Sequence, residues 1–166
     1  MRHSIFLLAV AALLLAGCSK EKKTVRQLEG TWDITTFKQW ESYTGECGTP
    51  ASDFNEFETP NAGTFEFSKN PGQWLSETDM DAQSGTLTMS YTFISPITGN
   101  PFAENVNLEF DWFIVDEKLI IQNPDEFVHR TFNLDDFDKK AFDLIYGVGD
   151  GLGCQASWFQ YSVEKQ

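Results

Sequence analysis

The chain has 166 residues, with 25 acidic side chains against 12 basic ones and a formal charge of −13. A domain this acidic repels phosphate backbones and anionic head groups, which argues against nucleic acid as a partner and against a basic patch as a membrane anchor. Hydrophobic residues make up 41% and aromatic residues 14% of the chain, enough for the core of one domain.

The first predicted element is a leader. Arg2 and His3 give a basic start, and Ile5 to Leu15 is an uncharged apolar run. That run falls short of the ~20 apolar residues a spanning helix needs, so it reads as a secretory signal. It ends in Leu15-Ala16-Gly17-Cys18, which resembles the lipobox of bacterial lipoproteins. The resemblance implies cleavage after residue 17, with Cys18 acylated on thiol and amine, palmitate among the acyl groups. Several acyl chains on one residue suffice for stable anchoring. Ser19 follows, not the Asp that retains enterobacterial lipoproteins at the inner membrane. The expected location is therefore the outer membrane, with the domain facing the periplasm or the cell surface.

Removing residues 1–17 leaves 149 residues with a net charge of about −14. Residues 18–27 are polar and rich in lysine, and read as a lipid-anchored flexible tether reaching roughly 15–20 Å. The domain is expected over residues 28–166. From there the apolar period is two rather than 3.6. Gly30 to Trp40 opens with Trp32 and Ile34 on one face, and a short helix is possible within 51–58. Phe65 and Phe67 share a face in the next strand, 63–68, and Gln73 to Thr78 is expected as another after the Asn70-Pro71-Gly72 turn. In 85–95, Leu87, Met89, Tyr91 and Phe93 oppose Thr86, Thr88, Ser90 and Thr92. In 106–115, Val106, Leu108, Phe110, Trp112 and Ile114 oppose Asn107, Glu109 and Asp111. Asp116-Glu117 turns into Lys118 to Gln122, and Asn123-Pro124-Asp125 turns again. Phe127 to Leu134, Lys140 to Tyr146 and Gln155 to Val163 complete nine candidate strands. Short links between short strands predict an all-β fold, an antiparallel up-and-down barrel of about eight or nine strands.

Leu28-Glu29-Gly30-Thr31-Trp32 resembles the Gly-x-Trp opening of lipocalin-like domains, in which the Trp closes the bottom of the barrel. The segments Trp112 to Ile121 and Arg130 to Leu144 resemble small lipocalin-like lipoproteins of Bacteroidetes-type bacteria. The lipocalins proper also carry an Arg near the last strand that covers the Trp; here the last strand has none. The resemblance implies a lipocalin-like barrel able to bind a small hydrophobic ligand.

Two long segments interrupt the strand rhythm: Glu41 to Ala62, which holds Cys47, and Gly147 to Gly153, which precedes Cys154. The exported compartment is oxidising. A Cys47–Cys154 disulfide is the simpler assignment, closing a loop of more than a hundred residues. Two separate thiols are the other. Cysteine spacing does not suit a zinc site.

Catalytic motifs are missing from the pattern. His129 is the one histidine beyond the leader and has no nucleophile elbow beside it. Asp79 to Gly85 lacks the glycine and closing Glu of a calcium loop. The acidic run 135–138 reads as hairpin-turn chemistry. The alternating glycines of 147–153 lack the Lys-Ser/Thr of a phosphate loop. No catalytic residue, metal ligand or cofactor is assigned, and the chain is not read as an enzyme.

The aromatic load is the positive signal. Trp32, Phe65, Phe67, Tyr91, Phe93, Phe110 and Trp112 fall on the inward faces, where they either fill the barrel or line a cavity for one ligand. The expected function is a membrane-anchored lipoprotein that binds a small hydrophobic ligand. The alternative is a filled barrel that contacts a protein or glycan through its acidic loops.

Overall fold

The structure, a computed structural model, describes residues 20–43, 52–74, 82–94, 101–134, 137–149 and 155–166. Among these, eight strands run in chain order: β1 (Gly30–Tyr43), β2 (Ser52–Pro71), β3 (Gln83–Ile94), β4 (Pro101–Val115), β5 (Lys118–Asn123), β6 (Val128–Asn133), β7 (Ala141–Gly149) and β8 (Gln155–Lys165). One helix, α1 (20–28), precedes them. All pairings are antiparallel, in the order β6-β5-β4-β3-β2-β1-β8-β7. β6 and β7 pack against each other without a hydrogen-bonded ladder, so the sheet is a nearly closed up-and-down barrel with one seam.

Local chemistry explains the connections. Asp116 and Glu117 join β4 to β5 with φ of 50° and 60°, the left-handed pair of a two-residue hairpin turn. β3 and β4 hold an unbroken register from Gln83↔Trp112 to Ile94↔Pro101. On their outer face Ser90 Oγ donates to Asn105 Oδ1 at 2.6 Å. β1 is less regular. A bulge around Thr35 and Asn61 shifts the register between Ile34 and Thr36. The inward set of β1 is therefore Trp32, Ile34 and Phe37, all buried.

Three expectations are corrected. Gln73 to Thr78 is not a ninth strand where it is described: Gln73 and Trp74 form a bend, pinned by Asp111. The region from Ser52 belongs to the 20-residue β2, not to a helix. The tether is also corrected, because residues 20–28 are helical. Nine residues are too few to be helical alone in water. Docking stabilises them: Leu28 is fully buried and Val25 packs on the core, while Lys22, Lys23 and Arg26 face solvent. Lys20 pairs with Glu117 at the β4–β5 turn.

α1 therefore covers the end of the barrel where β1 starts and β8 finishes, called the lower end below. The layer above it is filled with rings. Trp32 is fully buried, its Nε1 donates to Leu28 O at 2.6 Å, and Phe142 meets its ring edge-on at 4.8 Å. Phe67 packs edge-on against Trp112 at 5.2 Å. Gly85 makes room for Phe110, because a Cβ there would lie 2.4 Å from its ring.

Candidate functional site: the upper barrel cavity

Above that layer the packing loosens. A cavity of about 190 Å3 occupies the upper half of the barrel, and all eight strands contribute to its wall. Phe65, Phe110 and Phe132 form its floor, all buried. Leu87, Met89, Val106, Leu108, Ile121 and Val128 supply aliphatic wall.

Polar groups are few and come from β3, β6, β7 and β8: Tyr91, Arg130, Tyr146 and Tyr161. Alternation in β6 turns Val128, Arg130 and Phe132 inward and leaves His129 and Thr131 exposed. Arg130 Cζ lies 4.8 Å from the Tyr146 ring centroid, a cation–π contact that bridges the seam. Phe132 meets Tyr146 edge-on at 5.7 Å at the same junction. Tyr161 packs at 5.3 Å from Phe65 and 5.1 Å from Phe37. Burial pushes its hydroxyl well above the ordinary phenol value; Tyr146 and Tyr91 push the same way and Arg130 pulls it back. Burial likewise raises Tyr91, whose hydroxyl donates to Glu104 Oε2 at 2.7 Å. Both are neutral phenols at physiological pH.

The structure divides the predicted inward aromatics between two layers. Trp32, Phe67 and Trp112 belong to the filled lower half, and Phe65, Phe110 and Tyr91 touch the cavity. Phe93 keeps its backbone register opposite Phe102, and its side chain lies outside those described. Cys18, Cys47 and Cys154 lie outside the described residues, as do Asp79 and the Asp135-Asp136 pair. Sequence reasoning left out Phe37, Phe132, Tyr146, Phe159 and Tyr161 as inner-face residues, and gave Arg130 no role. The period-two pattern of β6 to β8 carried that signal, because it set Arg130 opposite His129.

The remaining described candidates, His129 and Asp138, lie outside the cavity. His129 is exposed, and its Nδ1 accepts from Gln122 Nε2 at 2.7 Å. Lys140 N donates to Asp138 Oδ1 at 2.7 Å, the turn chemistry expected of that acidic run. Among the described residues, no group of three or more His, Cys, Asp or Glu side chains is placed to hold a metal, and no helix is long and apolar enough to cross a membrane. A larger groove of about 590 Å3 lies outside the barrel, over Asp143, Ile145, Trp158 and Glu164, and is open to solvent. The upper cavity thus presents an apolar wall with one cation and three phenols among its described lining residues. No protein-family model, no curated protein and no solved structure matches this chain.

Proposed function

We propose that this chain is a lipid-anchored outer-membrane protein whose barrel binds one small apolar ligand. The observation that carries the reading is the cavity of about 190 Å3 left in a barrel whose lower half is packed. An apolar cavity of roughly 150 Å3 is enough to take benzene, whereas pockets for drug-sized ligands start at about 300 Å3. The ligand is thus about one ring in size. Toluene titration followed by amide and methyl NMR tests this. Saturable shifts at Leu87, Met89 and Ile121, abolished by Leu108→Phe in a folded protein, are the expected result. No saturable shift in a stable protein would leave the filled-barrel alternative, in which acidic loops meet a protein or glycan.

Two further features belong to the proposal. Acylation of Cys18 would place the anchor two residues before α1, which is docked on the lower end. The closed end would then face the membrane and the cavity would face away. Except for Lys38 and Arg130, every basic residue beyond residue 18 lies on α1 or near the lower ends of the strands. Mass spectrometry of the N-terminal peptide, with Cys18→Ala as control, tests the anchor. The Cys47–Cys154 disulfide is supported by register, since Tyr43 lies opposite both Ser52 and Gln155. Tyr43, four residues before Cys47, and Gln155, next to Cys154, are therefore neighbours. Non-reducing peptide mapping tests it.

A further inference from the structure

We infer that the cavity takes an anionic ligand, a one-ring apolar body bearing a carboxylate that pairs with the Arg130 guanidinium. The inference rests on the cavity reading above and adds the charge of the occupant.

Arg130 is half-buried, on the inward face of β6, and lines the cavity. Among the described residues, Nη1 donates to His129 O at 2.9 Å, the Tyr146 ring lies beneath the guanidinium, and its charge also acts on the Tyr161 hydroxyl. A guanidinium has five N–H donors, and among the described residues one of them is spent on a protein acceptor. The ion pairs among the described residues involve Lys20, Lys38 and Lys69, and none involves Arg130. A chain with 25 acidic residues has thus placed none of those described against its inward-facing cation.

Withdrawing a charge from water is costly unless it is paired. The Tyr146 face compensates in part, and a ligand carboxylate would complete the compensation with two parallel N–H···O bonds. The surrounding wall favours the same class. Tyr146 and Tyr161 bring hydroxyls to the cavity, and the aromatic floor of Phe65, Phe110 and Phe132 takes the apolar body. Lys38, the other basic residue away from the lower end, is engaged by Glu56 and Glu58. Arg130 is therefore the one described cation positioned to read an anion in this cavity.

Phenylacetate and the neutral, near-isosteric phenylacetamide form the test pair, titrated into the full chain at constant ionic strength by NMR. Phenylacetate should bind at least tenfold more tightly. Arg130→Met should erase the difference by weakening phenylacetate far more than phenylacetamide. If that variant does not fold, Arg130→Lys keeps the charge but not the fork, and the preference should fall several-fold. Equal affinities in the wild type overturn the anionic ligand and leave the cavity reading standing. Saturation by neither compound overturns both. A preference that survives Arg130→Met also overturns the assignment and reduces Arg130 to a clasp on the seam.

Discussion

Lys165, at the end of β8, holds its ammonium 5.0 Å from the ring of Trp32, near the start of β1. The same Nζ donates to Gln27 O at 2.6 Å and to Glu29 O at 2.7 Å. One cation thus covers the Trp, satisfies carbonyls at the C-terminal end of α1 and joins the first strand to the last. The lipocalin-like resemblance implies an Arg in this place, where the chain has Lys165. Burial lowers the Lys165 pKa, opposed by Glu29, which marks a partly desolvated ammonium. Lys165→Met should lower stability by about 1–3 kcal/mol, the usual effect of deleting charge-assisted hydrogen bonds. Urea denaturation of the variant, with fluorescence of Trp32 as one probe, checks it.

Leu28 should behave as a core residue although it lies on a nine-residue helix. Leu28→Ala should cost about 2–5 kcal/mol. A change below 0.5 kcal/mol, within the range usual for surface sites, would mean that α1 is not docked in solution.

Asp111 is fully buried although it points away from the barrel interior. Its two carboxylate oxygens accept from Gln73 N and Trp74 N, each at 2.7 Å. Gly72 leaves the room, because a Cβ there would approach the carboxylate to 2.5 Å. Asp111→Ala should destabilise by about 1–3 kcal/mol. Gly72→Ala should destabilise as well, and the double variant should cost less than the sum. A thermodynamic cycle from denaturation curves measures that coupling.

Alkaline pH should weaken the fold through the cavity tyrosines. Tyr161 and Tyr91 have raised pKa values in the folded chain. An unfolded phenol ionises near pH 10. Above that pH the unfolded chain has released protons that the folded chain still holds, so stability falls as pH rises. The contribution is fully present below pH 10. Tyr161→Phe should reduce the slope of stability against pH between about 10 and 11.5, and ultraviolet titration of tyrosinate should show fewer ionising phenols in the folded protein than in urea.

The seam should be the least protected wall. β6 and β7 share no ladder, and the Arg130 and Phe132 contacts with Tyr146 hold them together. Amides of β6 and β7 that face across the seam should exchange with solvent faster than those paired to β5 and β8. Tyr146→Ala should accelerate them further, which hydrogen exchange by NMR measures.

Period and punctuation alone determined the class of fold. Strict alternation over 87–93 and 106–114 dictates two half-buried strands, and the Asp116-Glu117 pair dictates a tight turn, because side-chain direction in a strand and left-handed turn geometry are local properties. The same alternation put Phe65, Phe110 and Trp112 on inward faces. The tertiary structure decided what local rules cannot carry. The bulge at Thr35 carries the inward set of β1 from Ile34 to Phe37, and it depends on pairing with both β2 and β8. α1 forms because Leu28 and Val25 find the barrel's lower end, not because its sequence is strongly helical. Asp111 is buried only because a segment almost forty residues earlier bends over it. The cavity and Arg130's place in it exist because eight strands close into a ring with rings of Phe and Trp filling one half only, and volume left over after packing is a property of the assembled walls.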